Sequence, residues 1–204
     1  MPFFVSLPPF VEAGPNRLLS VFLVFLVAHV PALFLARWTA EDRHLGLRVA
    51  LLAFGYGWLA FVLLPALVMR AMGGHWADLP TSVPVLLMAF AVLAPIQLIG
   101  LTWAQMFALR GNGMPIPLDQ TDRLVRAGIY VYVCNPMQLC TAATWIVMGA
   151  LLGNVWITAM AGMTWIFVQG MVRWHHRHDL MVRFPEGWPE YCANVGEWWP
   201  RWRP

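Results

Sequence analysis

The chain has 204 residues, 60% of them apolar and 11% charged, with a formal net charge of +3. A typical globular domain is about 45–50% apolar and about 25% charged, and a domain this small cannot hide so much apolar surface from water. Composition therefore excludes a soluble globular domain, a disordered chain and a nucleic-acid module, and it predicts an integral membrane protein whose first partner is the lipid bilayer.

The opening stretch MPFFVSLPPFVEAGPNR lacks the basic start and apolar run of a cleaved signal peptide and reads as an interfacial segment. A spanning helix needs about 20 mostly apolar residues, and Leu18–Ala36, Val49–Met69 and Ser82–Leu109 each supply an uncharged run of that kind. Gly55 and Gly57, on the second run, read as permitting close helix packing. Gln97 and Gln105, on the third, share roughly one face and suit either interhelical hydrogen bonds or a cavity lining. No charge falls between Arg126 and Arg173, and Met137–Val172 alone counts 36 residues. As one helix it would run about 54 Å, against a hydrocarbon core of about 30 Å. The run GALLGN from Gly149 to Asn154 predicts a turn within it, and so a tight helical hairpin with a short first arm.

The fold class predicted is all-α: a membrane helical bundle of five transmembrane helices, the last two a hairpin, followed by a cytoplasmic helical tail. The bundle forms one membrane domain over residues 1–204, with three helices in 1–109 and the chemistry in 110–204. All 13 basic residues are Arg, and cytoplasmic flanks carry the excess of basic residues. Five spans divide the arginines 11 to 2, whereas four would divide them 6 to 7. The bias selects five spans, with the N-terminus outside and the C-terminus cytoplasmic, as in a bacterial inner membrane.

Two segments on the cytoplasmic side are too rich in polar and turn residues to be plain connectors: 110–136 (RGNGMPIPLDQTDRLVRAGIYVYVCNP) and 173–204 (RWHHRHDLMVRFPEGWPEYCANVGEWWPRWRP). A long loop without its own secondary structure is usually functional or disordered, and the aromatics of the tail argue against disorder. The first segment carries Gly111, Gly113, Pro115 and Pro117, then Leu124, Val125, Gly128, Tyr130, Tyr132, Val133, Asn135, Pro136 and Met137. The second carries Leu180, Phe184, Trp188, Tyr191, Cys192, Asn194, Val195, Trp199, Pro200 and Arg201.

Together these blocks resemble the isoprenylcysteine carboxyl methyltransferase family and its bacterial homologues over roughly residues 111–204. The resemblance implies a membrane-embedded methyltransferase that uses S-adenosylmethionine and acts on a lipid-like or small-molecule acceptor reaching the site from the bilayer. It implies cofactor contacts at Asp122, Arg123, Leu124, Val125, Tyr130, Asn135, Pro136, Met137 and Gln138, with a further contact at His176 where the family has an acid. Four positions depart from the family pattern: Cys134 stands for an Arg, His176-Arg177 for a Glu-Glu pair, and Pro185 for a Gly. Asp179 or Glu186 is placed to supply the missing carboxylate. A carboxylate acceptor needs mainly positioning and water exclusion, and Arg173, at the end of the last predicted span, is the expected orienting residue. An amine or thiol acceptor would instead need a base, for which His175, His176 and His178 are candidates.

The same scaffold without a cofactor is the competing reading, fed by the substituted charges. A sterol-reductase-like enzyme is less favoured, because Asn135-Pro136-Met137-Gln138-Leu139 lacks the Tyr and Glu of the R-H-P-N-Y-x-G-E pattern. His175 and His178 share a helix face, but Arg177 between them opposes a metal ion, and no metal site is expected. Cys134, Cys140 and Cys192 read as free thiols, and the Trp-rich ending reads as an interfacial anchor.

Overall fold

The computed structural model describes residues 15–111 and 121–201. The interfacial opening stretch, the Gly113, Pro115 and Pro117 positions and Arg203 lie outside the described residues. The chain divides into two compact units, residues 1–44 and 45–204.

The first unit is one helix, α1 (Arg17–Ala40), with no buried side chain along it. Its turn widens over Phe25–His29, just ahead of Pro31. Proline has no N–H for the carbonyl four residues back and its ring crowds that carbonyl, so the hydrogen-bond ladder slips by a residue there. The His29 ring stacks on Phe25 with centroids 5.7 Å apart.

The second unit holds α2 (Leu45–Met72), α3 (Val83–Gly111), α4 (Pro136–Leu151), α5 (Val155–Arg183) and α6 (Gly187–Asn194). Helix α2 repeats the proline device, widening over Leu59–Leu63 ahead of Pro65. Four helices, α1, α2, α3 and α5, are long and apolar enough to cross a membrane. Their outward side chains fit that reading, with Val27, Phe54 and Phe90 each at least 70% exposed, an apolar surface too extensive for water. Helix α4 has 16 residues, about 24 Å of rise, short of a hydrocarbon core of about 30 Å.

Helices α4 and α5 form a hairpin whose turn falls where the Gly149–Asn154 run predicts it. Gly153 takes φ +59, a left-handed conformation that glycine adopts without strain. Asn154 then caps α5, accepting from the backbone N–H groups of Trp156 (3.0 Å) and Ile157 (3.2 Å). Its amide donates to the Gly73 carbonyl at 2.7 Å, tying the turn to the end of α2. Around it lies a core of Ala60, Met69, Trp145, Leu152, Ile157 and Met160. Polar groups between the helices are paired: Trp145 Nε1 donates to the Ala60 carbonyl (2.8 Å), and Tyr56 Oη meets Thr141 Oγ1 at 2.6 Å.

Three sequence readings are resolved by this packing. Gln97 makes an interhelical hydrogen bond, Nε2 donating to Thr144 Oγ1 at 2.7 Å. Gly55 and Gly57 are not at a close crossing, since an added Cβ at either meets nothing within 4 Å among the described residues. The close crossings are at Gly100, against the Cys140 Cβ, and at Gly149, against Thr158 and Asn154. Helix α5 runs past the end of its uncharged stretch at Val172 and continues unbroken to Arg183. No Gly or Pro interrupts residues 173–183, and the helix stops only at Phe184, where the following Pro185 disfavours helical backbone.

Candidate functional site

Beyond the helix pairs, the two polar segments flagged in the sequence meet and interlock. Residues 132–135 and 195–201 lie side by side through a parallel bridge between Val133 and Gly196. The Cys134 N–H donates to the Gly196 carbonyl (2.8 Å), and the Arg201 N–H donates to the Tyr132 carbonyl (3.0 Å). Behind this seam Trp188, Tyr191 and Val195 form a small core, with Leu124, Cys134, Leu180 and Phe184 packed against it. Tyr191 Oη donates to the Tyr130 carbonyl at 2.8 Å. Arg126 fastens the start of α6, reaching Glu190 Oε2 (2.9 Å) and the Gly187 carbonyl (2.5 Å). Arg183, at the end of α5, donates to the Thr121 carbonyl.

The expected site residues fall into three groups. Asp122 and Arg123 are exposed, Asp122 donating its N–H to the Gly111 carbonyl (2.9 Å) at the foot of α3. Val125, Tyr130, Asn135 and Pro136 are buried, and Leu124, Met137 and Gln138 are half-buried. Tyr130 packs edge-on against Phe107 at 5.4 Å, and burial pushes its phenol well above the ordinary range. Pro136 occupies the first turn of α4, where its missing N–H is not needed. Arg173 and His176 extend from α5 toward the tail, and the His176 ring lies 4.6 Å from Trp188. Arg177, one residue on, is exposed.

Glu197 links these groups. Its carboxylate takes both arms of the Arg173 guanidinium, Nε to Oε1 at 3.0 Å and Nη2 to Oε2 at 2.8 Å. Its backbone carbonyl accepts from Asn135 Nδ2 at 3.2 Å. The Arg173 fork holds the Glu197 carboxyl below the usual carboxylate range. Glu197 also borders an open groove of about 680 Å³ lined by Leu139, Trp165 and the run Gly196–Arg201. Tyr130, Asn135 and His176, given as cofactor contacts by the resemblance, do not line this groove; the first two are buried.

Sequence reasoning missed Glu197 and offered Asp179 or Glu186 as the compensating carboxylate. Asp179 instead faces Arg183 (3.2 Å) and His175 (3.6 Å) on its own helix. The available signal was an acid set inside a Trp-rich run in a chain with only ten acids. Compared with known proteins, the chain matches no family model, no curated protein and no solved structure.

The remaining titratable groups are unsuited to nucleophilic work. Burial pushes the Cys134 thiol up to about 12, so it stays protonated at neutral pH, and the thiolate is the reactive form. The histidine cluster is dispersed: His175 faces Asp179, while His178 stacks on Trp174 with Nδ1 2.9 Å from the Trp174 carbonyl. Among the described residues no group of three or more His, Cys, Asp or Glu is arranged to hold a metal.

Trp165, Trp198, Trp199 and Glu197, whose carboxylate is already paired with Arg173, line the groove. Arg173, fixed beside it, offers a planar two-pronged donor matched to a carboxylate.

Proposed function

We propose that this chain is an integral membrane S-adenosylmethionine-dependent methyltransferase, acting on a lipid-like or small carboxylate or amine acceptor at the cytoplasmic membrane face. It crosses a bacterial inner membrane five times, with α4 and α5 as the final hairpin, the N-terminus outside and the C-terminus cytoplasmic. The 11-to-2 arginine division supports that orientation. The observation that carries the reading is the interlocking of residues 121–138 with the tail beside an aromatic and acidic groove. These are the two blocks in which the family resemblance resides.

The cofactor, when bound, supplies an electrophilic methyl group, and positioning is what remains for the protein. The three tryptophans would hold the cationic centre, with Glu197 balancing the Arg173 charge beside it, and Arg173 would orient an acceptor carboxylate, already ionised at neutral pH.

Incubating the purified protein with cofactor tritiated in the methyl group, together with bacterial membrane lipids and soluble carboxylic acids, tests this reading. Protein-dependent transfer of label is expected, with alkali releasing the label as volatile methanol if the product is an ester. Alkali-stable label would identify an amine acceptor, and absence of any transfer counts against the enzyme. A cofactor-free scaffold is the second reading, favoured by the burial of Val125, Tyr130, Asn135 and Pro136.

A further inference from the structure

Beyond its uncharged stretch, α5 is amphipathic in the reverse of the usual sense. Met171, Trp174, Arg177, His178, Met181 and Val182 are exposed, and their spacing of three or four residues puts them on one helix face. The face turned to the protein carries Arg173, His175, His176, Asp179 and Arg183, all half-buried. Those groups are engaged there: Arg173 with Glu197, Asp179 with His175 and Arg183, and Arg183 with the Thr121 carbonyl. A helix running through water has the opposite order, apolar side inward and charge outward.

We infer that this outward face is a lipid-binding surface, seated at the boundary between the headgroups and acyl chains of the bilayer. It does not depend on methyl transfer.

Continuity supports it first. Met163, Ile166 and Phe167, one to two turns earlier on α5, are exposed as well, on a helix long and apolar enough to cross a membrane. The same row continues through Met171, Trp174 and Val182, which are 63%, 59% and 72% exposed. That is too much contiguous apolar surface to leave in water.

Length agrees. The 29 residues of α5 rise about 43 Å, against about 30 Å for the hydrocarbon core and about 40–45 Å with both headgroup layers. The helix can cross the core and spend its last turns among headgroups.

The polar members of the face fit that depth. Trp174 is a residue type that gathers at membrane interfaces. His178 stacks on it at 4.9 Å, with Nδ1 turned back to 2.9 Å from the Trp174 carbonyl. Arg177 makes no ion pair among the described residues, and its long stem lets the guanidinium reach a lipid phosphate while its methylenes cover apolar surface. A second copy of this chain is a poorer occupant, because the outward face holds no acid to pair with Arg177.

Nitroxide accessibility in vesicles of phosphatidylethanolamine and phosphatidylglycerol tests the inference. Met181→Cys and Val182→Cys are each labelled in full-length Cys192→Ser protein, which removes the exposed native thiol, and the signal of that parent is subtracted. Both side chains are exposed, so the substitutions disturb no packing. Ile166→Cys gives the lipid reference, and the free label in buffer gives the water reference. The ratio of collisions with oxygen to collisions with a water-soluble nickel chelate should match Ile166→Cys and exceed the free label several-fold at both positions. A ratio near that of the free label would place the face in water and overturn the inference. Immobilised labels reached by neither agent would overturn it too, because a protein partner or a second copy would then cover the face.

Discussion

Alkylation of Cys134 by iodoacetamide at pH 8 should accelerate by one to three orders of magnitude when Gly196 is replaced by alanine. A Cβ at Gly196 would sit 2.0 Å from the Trp199 carbonyl oxygen and 3.1 Å from its carbon. Backbone atoms cannot rotate aside as a flexible side chain does, so the 196–199 turn must open. That turn presents the carbonyl that accepts the Cys134 N–H, and the Val195 carbonyl lies 4.0 Å from Cys134 Sγ. In the docked state burial raises the thiol from an ordinary 9.0 to about 12, so at pH 8 it carries about a thousandfold less reactive thiolate. Undocking the tail returns the thiol toward its ordinary value and adds access. Peptide mass spectrometry over a time course reads the rate, with exposed Cys192 as the internal control. An unchanged Cys134 rate in Gly196→Ala would mean that the seam does not depend on that glycine.

The second large effect is on the hairpin. Gly149→Ala should destabilise the protein by about 1–3 kcal/mol, the usual cost of forcing volume into a packed site. The new Cβ would meet Thr158 Oγ1 at 2.1 Å, the Thr158 backbone nitrogen at 2.6 Å and the Asn154 carbonyl oxygen at 3.0 Å. Two of these three are backbone atoms in and beside the first turn of α5, so relief requires separating α4 from α5. Gly57→Ala makes the matched control, because its Cβ meets nothing within 4 Å. There the better helix propensity of alanine should leave the midpoint unchanged or raised. Thermal unfolding in detergent should thus lower the midpoint for Gly149→Ala alone. Equal midpoints for the two variants would contradict the packing described for the turn.

The contrast between these glycines marks what could be read in advance. Hydropathy and chain length identified the apolar helices, and the GALLGN run located the hairpin turn, because each rests on local chemistry. Gly55 and Gly57 misled because a glycine pair on an apolar helix gives no sign of which face meets a neighbour. That depends on rotations set by tertiary packing. Helix α5 runs on past its apolar stretch because charge, which ends a membrane span, does not end a helix. Here only the Phe184-Pro185 step does so.

The candidate site was half legible. The two segments flagged by their polar and turn-rich composition do meet. Glu197 was hidden because its partner is 24 residues away and no spacing rule joins a helix end to a loop. The exposure of Arg177 beside half-buried His176 follows from helix geometry, where adjacent side chains diverge by about 100°.

That divergence bears on cofactor binding. A like charge about 4 Å from a sulfonium would cost on the order of 4 kcal/mol at an effective dielectric of about 20, so a working site must keep Arg177 turned away. Calorimetric titration of S-adenosylmethionine into the wild-type protein, with Trp165→Ala and Arg177→Ala alongside, is the most direct measurement. Wild type should bind, Trp165→Ala, which removes one wall of the groove, should bind several-fold more weakly, and Arg177→Ala should bind equally well or slightly better. No heat of binding to the wild type at about 1 mM cofactor would contradict the methyltransferase and leave a cofactor-free membrane scaffold in its place.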